Sequence, residues 1–157
     1  MAVRTQIKKI VSGGQTGVDR AALDVAIRLG IPHGGFCPKG RRSESGRIPD
    51  KYRLMETETE VYGMRTELNV EHSDATLVLT NGPPDGGTQR TIELCSEHHK
   101  PLLVLDLTAA PRAEEFDRWL SANHVQTLNV AGPRESNQLG IYVAAYSALL
   151  IVLAEDI

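Results

Sequence analysis

The chain has 157 residues, with 17 Lys and Arg against 20 Asp and Glu, a formal net charge of −3 at pH 7. This length predicts a single domain over residues 1–157, with a core that buries about two thirds of the surface of the unfolded chain. The slight acidic excess argues against a nucleic-acid binder, which normally carries a basic surplus.

The cysteines and the apolar runs indicate the cellular compartment of the protein. Cys37 and Cys95 form neither a disulfide framework nor a CxxC pair. Residues 1–9 contain no apolar signal-peptide core, and the most apolar run, 141–153, is shorter than the roughly 18–20 residues that span a bilayer. We therefore expect a cytoplasmic protein without a membrane segment.

Strand and helix patterns alternate through the first half of the chain. An apolar strand at about 8–12 precedes a helix at 18–29, which Gly30 and Pro32 should end. A short strand is predicted within 33–38, and a helix within 56–71, after a break near 57–60. Helical spacing assigns Val61, Met64 and Leu68 to the buried face of this helix, with Arg65, Thr66 and Asn69 on or beside the opposite stripe.

The second half continues the alternation. The run 75–80 is apolar throughout, which is typical of a parallel strand covered on both faces. A helix capped by Thr88 should reach about His99, followed by a strand at 102–106 and a helix at 114–122 anchored by Trp119. A strand at 126–130 and a helix from Gly140 complete the pattern. This order predicts an α/β protein: one Rossmann-like, doubly wound, mostly parallel sheet flanked by helices.

The stretch 12–20, SGGQTGVDR, joins the first strand to the first helix and is the first candidate binding site. Glycines allow a tight turn there, and the free N–H groups of the first helical turn favour an anion. The stretch matches neither GxGxxG nor GxxxxGK[ST]. An acid would repel a bare phosphate, so Asp19 faces a ligand hydroxyl, an amine or a hydrated cation, or else complements the helix dipole. The candidate residues are Gly13, Gly14, Gln15, Thr16, Gly17, Asp19 and Arg20.

Two later strand-to-helix loops are also rich in glycine. They contain Gly82, Gly86 and Gly87, and Gly132 with Gly140. The loops that follow parallel strands meet at one edge of the sheet, so three such loops predict close approach of backbone to a phosphate-bearing ligand. Pyrophosphate, a nucleotide and a pterin phosphate are the alternatives. The further candidate residues are Gly86, Gly87, Thr88, Arg134 and Asn137.

The polar loop 39–49 carries four cations. It is either a solvated surface loop or a flap over an anionic ligand, because the arginine fork matches phosphate geometry. The flap would use Lys39, Arg41 and Arg42.

Signals for catalysis and for metal binding are weaker. Glu93 is the candidate catalytic acid or base, and its alternative role is that of a surface glutamate in a helix. The five histidines and two cysteines show no metal-ligand spacing, so we expect no structural metal.

Four motifs in order resemble those of the molybdenum carrier family, which is similar to the molybdenum cofactor carrier protein. They are the stretch 12–24, the stretch 37–42 (CPKGRR), Gly86–Thr88 and the stretch 128–136 (LNVAGPRES). The resemblance implies a Rossmann-type fold, a homo-oligomer and an anionic pterin- or nucleotide-like ligand. The family is related to the lysine-decarboxylase-like Lonely Guy phosphoribohydrolases, whose motif is PGGxGTxxE. Residues 84–93 match that motif only in part, since the second GT is absent and Glu93 is displaced. This departure argues against phosphoribohydrolase activity.

Two functional hypotheses follow. The first is a carrier that binds molybdopterin or the molybdenum cofactor without turnover. The alternative is a nucleotide-processing enzyme, with Glu93 or Asp19 as acid or base and Arg90 or Arg47 stabilising charge, or a nucleotide-sensing module. The closing helix is apolar on more than one face, so we expect a homo-oligomer, a dimer or a tetramer.

Overall fold

A computed structural model describes residues 6–84 and 86–154. The single domain predicted for 1–157 stays a prediction, because residues 1–5, 85 and 155–157 lie outside the described part. The strands are β1 (Lys9–Val11), β2 (His33–Gly34), β3 (Phe36–Cys37), β4 (Arg42–Ser43), β5 (Gly46–Arg47), β6 (Met55–Glu56), β7 (Ala75–Thr80), β8 (Leu102–Asp106) and β9 (Thr127–Ala131). The helices are α1 (Val18–Leu29), α2 (Tyr62–Glu71), α3 (Gly86–Glu97), α4 (Ala113–Ala122) and α5 (Ile141–Leu153).

A five-stranded parallel sheet in the order β2-β1-β9-β7-β8 forms the centre of the fold. The chain moves outward from β1 to β2, enters the other half at β7, moves outward again to β8, and returns to place β9 between β1 and β7. This arrangement confirms the predicted α/β, Rossmann-like fold. The carboxyl ends of β1, β9 and β7 are neighbours, so their three loops lie at one edge.

The two faces of the sheet differ in polarity. On one face, Leu77, Leu79, Leu128 and Val130 pack with α1, α4 and α5 in the main core. Side chains alternate along a strand, so Thr76 and Asn129 point to the opposite face, where α2 and α3 lie. The apolar cluster on that face is small and contains Val70, Leu94 and Cys95.

Helix α1 shows why the first strand–helix unit forms as predicted. Its small and branched residues, Ala21, Ala22, Val25 and Ala26, are fully buried against the sheet and α5. Gly30 ends the helix at φ 71°, and its N–H reaches the carbonyls of Ala26 and Ile27. Left-handed backbone favours glycine, so the sequence defines this helix end.

The prediction for the buried face of α2 was wrong. Val61 and Met64 are 65% and 42% exposed, whereas Arg65 and Asn69 are buried. Asn69 accepts a hydrogen bond from the N–H of Phe36 (2.7 Å) and donates one to its carbonyl (3.0 Å), as a neighbouring strand would. The helix therefore packs through the polar side chains of Arg65 and Asn69 together with Val70, rather than through the predicted apolar stripe.

Two other predictions are corrected. The strand within 33–38 divides at Gly35, whose φ of 130° and whose closeness to Ser12 (an added Cβ would lie 2.2 Å from its carbonyl oxygen) exclude a side chain. Its halves, β2 and β3, pair with different strands. Thr88 is not a helix cap, because α3 begins at Gly86 and Thr88 lies in its first turn. Within the described residues, no helix is long and apolar enough to cross a membrane.

Candidate functional site

A cavity of about 320 Å³ lies at the carboxyl edge of the sheet, between α2, α3 and the loops that follow β1 and β9. Its position is the crevice where strand order reverses, the usual ligand site of open parallel sheets. Eight of the predicted ligand-binding residues line it. They are Gly13, Gln15, Asp19, Gly86, Gly87, Thr88, Arg134 and Asn137.

The first turn of α3 forms one wall of the cavity. A Cβ added at Gly86 or Gly87 would meet no atom within 4 Å, so the backbone faces open space there. Thr88 is buried, and the Thr91 hydroxyl is already used, because it donates to the Gly87 carbonyl at 3.1 Å. The free N–H groups and the dipole of this 12-residue helix favour an anion at that wall.

Three arginines line the cavity, each held differently. Arg65 on α2 is buried and donates from Nη1 to the Gly13 carbonyl at 2.8 Å. Arg90 on α3 is half-exposed and lies 3.1 Å from Glu97. The Nε of Arg134 is 3.5 Å from Glu44. Each of the three guanidinium groups thus lines the cavity while it lies within 4 Å of a carboxylate.

Asp19 is the carboxylate of the cavity wall. It accepts a hydrogen bond from the Gln15 N–H at 3.3 Å, and its Oδ2 lies 3.6 Å from Nη1 of Arg65. Burial raises the pKa of Asp19, and the Arg65 guanidinium opposes that rise. A side chain at Gly13 would collide with Arg65, at 2.4 Å, so this glycine gives the arginine its place beside Asp19.

Asn129 is the least exposed polar residue that lines the cavity. Only 2% of it is exposed, and its Nδ2 donates to Oγ1 of Thr76 at 3.2 Å. Its Oδ1 has no hydrogen-bond partner among residues 6–84 and 86–154. A buried acceptor left unpaired lowers the stability of the folded state by roughly 1–3 kcal/mol. The protein therefore loses stability at a residue that lines the cavity.

The remaining residues of the first loop lie outside the cavity and hold the loop together. Arg20 donates to the Gly14 carbonyl at 3.0 and 3.2 Å and lies over the Tyr52 ring. Gly17 has φ 80°, and an added Cβ would lie 2.4 Å from the Pro133 carbonyl oxygen. These residues shape the site rather than line it.

The structure places the predicted cationic flap away from the cavity as well. Arg41 is buried in its own loop, where it donates to the carbonyls of Ile48 (3.0 Å), Pro49 (2.8 Å) and Tyr52 (2.7 Å). Arg42 is exposed and pairs with Glu60 at 3.1 Å. Lys39 is also exposed and does not line the cavity. The loop includes a short hairpin, β4–β5.

Glu44, at the tip of that hairpin, joins it to the loops after β1 and β9. Its carboxylate accepts hydrogen bonds from the hydroxyls of Thr16 and Ser136 and from the Ser136 N–H (3.2 Å). Burial opposes ionisation of Glu44, but the bonds from Ser136 and Thr16 outweigh it and lower its pKa. Thr16, predicted as a ligand contact, is thus engaged by a protein carboxylate.

The candidate acid or base Glu93 lies on the outer side of α3. Its side chain is half-exposed, 3.4 Å from Arg90, and does not line the cavity. Arg47 is likewise outside, paired with Asp50 at 2.7 Å. Of the groups considered for an enzyme, Asp19 and Arg90 are those that the cavity brings together.

Sequence analysis missed the contribution of α2 and of β9. The cavity includes Tyr62, Arg65, Thr66 and Asn69 from one face of α2, and Asn129 from the sheet. Their spacing is helical, but we assigned that stripe to solvent. A polar residue inside the apolar run of β9 was the available signal for Asn129.

Away from the cavity, Glu67, Glu71 and His98 place one ligand atom each within 4.8 Å of the others. The His98 nitrogens lie 3.9 and 3.7 Å from the two carboxylates. This is the spacing of ion pairs, and the expected lack of a structural metal stays a prediction.

The fold is that of a Rossmann-like α/β protein, with a cavity at the carboxyl edge of its sheet. The chain belongs to the circularly permutated YpsA SLOG family, whose model matches residues 10–153. It is similar to a crystal structure named "Putative molybdenum carrier protein" from Syntrophus aciditrophicus SB, with 44% identity and a TM-score of 0.90 over 95% of this chain and 96% of that one. The resemblance seen in the sequence is thereby confirmed. A search of curated proteins found no match.

Proposed function

We propose that this protein binds a small anionic, phosphate-bearing ligand in the cavity and carries it without converting it. The ligand that we propose is molybdopterin or the molybdenum cofactor. The observation that carries the proposal is the combination of the open first turn of α3, at Gly86 and Gly87, with three arginines in one cavity. Helix N–H groups and arginine forks both match the oxygens of a phosphate.

The composition of the cavity supports binding through hydrogen bonds. The lining residues that the structure describes include no histidine or cysteine, so a metal-bearing ligand would be held by its anionic groups rather than by metal coordination. Asp19 is the one carboxylate among those lining residues, and it is paired with Arg65. A carrier needs no free general base, which agrees with this arrangement. The name of the similar crystal structure points the same way.

The first experiment examines what the purified protein contains. The protein is denatured, and the supernatant is analysed by mass spectrometry, by pterin fluorescence after oxidation and by elemental analysis for molybdenum. We expect a stoichiometric pterin. A purine nucleotide instead would favour the nucleotide-sensing or nucleotide-processing alternative, and kinetics of Asp19→Asn and Glu93→Gln would then separate those two.

Variants test whether the ligand lies where we propose. Gly87→Asp adds a carboxylate in open space at the α3 wall, so it should repel the anion without straining the fold. Arg134→Met removes one cation, and we expect binding of pyrophosphate, followed by calorimetry, to weaken by about tenfold. Ser121→Asp, an equal charge change on the far end of α4, is the control. Equal affinity in all four proteins would contradict the proposed site.

We also propose that the protein is a homo-oligomer that associates through α1 and α5. In the described chain, Val143 and Ile151 on α5 and Ile27 on α1 are exposed apolar side chains on this pair of packed helices. An apolar helix face of this kind is typical of a subunit interface. Light scattering over a wide concentration range tests this, and a monomer throughout would contradict it.

A further inference from the structure

We infer that the deep end of the cavity selects a ligand whose heterocycle offers N–H donors, and that Oδ1 of Asn129 is the acceptor that recognises them. The inference rests on the proposed function, since it concerns the same cavity. Asn129 would then determine specificity, and the ligand would have two chemically different ends, an anionic group and a heterocycle.

One end of the Asn129 amide is used within the fold. Its Nδ2 donates to Oγ1 of Thr76 at 3.2 Å, so Nδ2 is the atom that faces Thr76 and Oδ1 is the atom left over. β9 is paired on both sides, with β1 and β7, so the backbone that carries this side chain is fixed.

The unpaired acceptor lies in the cavity wall. Asn129 is 2% exposed and lines the cavity, and its Oδ1 finds no partner in the described part of the chain. An acceptor of this kind, buried and held in place, is satisfied when a bound molecule donates to it. Asp19, also buried, is a second acceptor in the same wall.

Two of the three arginines of the cavity are more exposed than its acceptors, whereas Arg65 is buried and donates to the Gly13 carbonyl. The side chains of Arg90 and Arg134 are 48% and 42% exposed, and the first turn of α3 is open beside them. Asn129 and Asp19 are the buried acceptors. A ligand that satisfies both ends has an anionic group toward solvent and a ring that points inward with N–H donors. The lactam N–H and exocyclic amine of a 2-amino-4-oxo-pyrimidine ring, which guanine and pterins share, provide them.

The test compares three probes by calorimetry: guanosine monophosphate, which has the donors, ribose 5-phosphate, which lacks the ring, and pyrophosphate, which is anion alone. The full chain should bind guanosine monophosphate at least about tenfold more tightly than ribose 5-phosphate. In Asn129→Leu this preference should fall to within about twofold, with pyrophosphate binding unchanged. Asn123→Leu, the same change at the end of α4 and outside the cavity, should keep the preference.

The outcomes separate the two proposals. If pyrophosphate binds but the preference is absent, or survives in Asn129→Leu, the inference about Asn129 is overturned and the proposed function stands. If ribose 5-phosphate binds as tightly as guanosine monophosphate and both weaken in Asn129→Leu, the acceptor recognises hydroxyls and the inference is again overturned. If none of the probes binds the unmodified chain, both proposals fail. Thermal unfolding verifies that the variants are folded, and Asn129→Ala serves in place of the leucine variant if the larger side chain prevents folding.

Discussion

The two faces of the central sheet are built from different chemistry, and neighbouring residues of β9 show the contrast. Leu128 is fully buried in the core formed with α1, α4 and α5. Asn129, one residue later, lies on the other face with an unpaired oxygen toward a cavity. Burial of the apolar face stabilises the folded state, whereas the unpaired acceptor on the polar face destabilises it. The packed core and the cavity therefore lie on opposite sides of one sheet.

The helices on the two faces are held in different ways. α1 and α5 pack closely through small and branched apolar residues. α2 is attached by directed hydrogen bonds, from Arg65 to the Gly13 carbonyl and between Asn69 and the backbone of Phe36. Directed bonds leave space between α2 and the sheet edge, and the cavity lies in that space.

The largest expected effect tests the contrast directly at β9. Leu128→Ala should lower the free energy of unfolding by about 2–5 kcal/mol, because it leaves a void in a packed core. Asn129→Leu should cost only about 1 kcal/mol, since the lost hydrogen bond from Nδ2 to Thr76 is offset by removal of the unpaired acceptor Oδ1. Urea unfolding of both variants provides the measurement. Equal losses in the two would show that the faces do not differ in this way.

A smaller effect is expected in the 39–49 loop, where two adjacent arginines differ in role. Arg41→Met should cost about 2–3 kcal/mol, because four backbone carbonyls lose a charged donor. Arg42→Met should change stability by no more than about 0.5 kcal/mol, since its exposed pair with Glu60 contributes little. Thermal unfolding compares them. A loss of pyrophosphate affinity in Arg41→Met, with stability unchanged, would instead restore Arg41 to the ligand site.

The smallest effect concerns Glu44, at the rim of the polar side. Its folded pKa lies below its value in the unfolded chain, about 4.3. Its contribution is therefore fully present above that pH and is lost as pH falls through the folded pKa. Glu44→Gln should cost less than about 1 kcal/mol at pH 7, and the difference from the unmodified chain should shrink below about pH 4. Urea unfolding of both proteins between pH 7 and pH 3 provides the measurement. A difference in stability that does not change with pH would contradict this role.

Strong local patterns made most of the fold predictable. The apolar run 75–80 and the helix 18–29, with glycine after its end, match the structure residue for residue. The three glycine-rich loops located the carboxyl edge correctly, because parallel topology determines which loops meet there.

The parts that failed depend on tertiary contacts. Two of the three buried residues of α2, Arg65 and Asn69, are polar, so the helical spacing of apolar residues indicated the wrong side. The sequence predicts Arg41 as a ligand contact, but its partners are carbonyls seven to thirteen residues later in the chain, and no local pattern predicts the path of that loop. The sequence does not predict which strands pair with β9, so it could not predict the neighbours of Asn129.

The position of β9 has a consequence for how the chain acquires its structure. β9 is the last strand along the chain but the middle strand of the sheet, between β1 and β7. During synthesis, the pairs β1–β2 and β7–β8 emerge first and share no ladder until residues 127–131 arrive. Folding is therefore completed late and through contacts distant in sequence, which slows it and leaves strand edges exposed on the nascent chain. A ribosome-bound chain that ends before β9 should accordingly be sensitive to protease, whereas one that includes α5 should resist it.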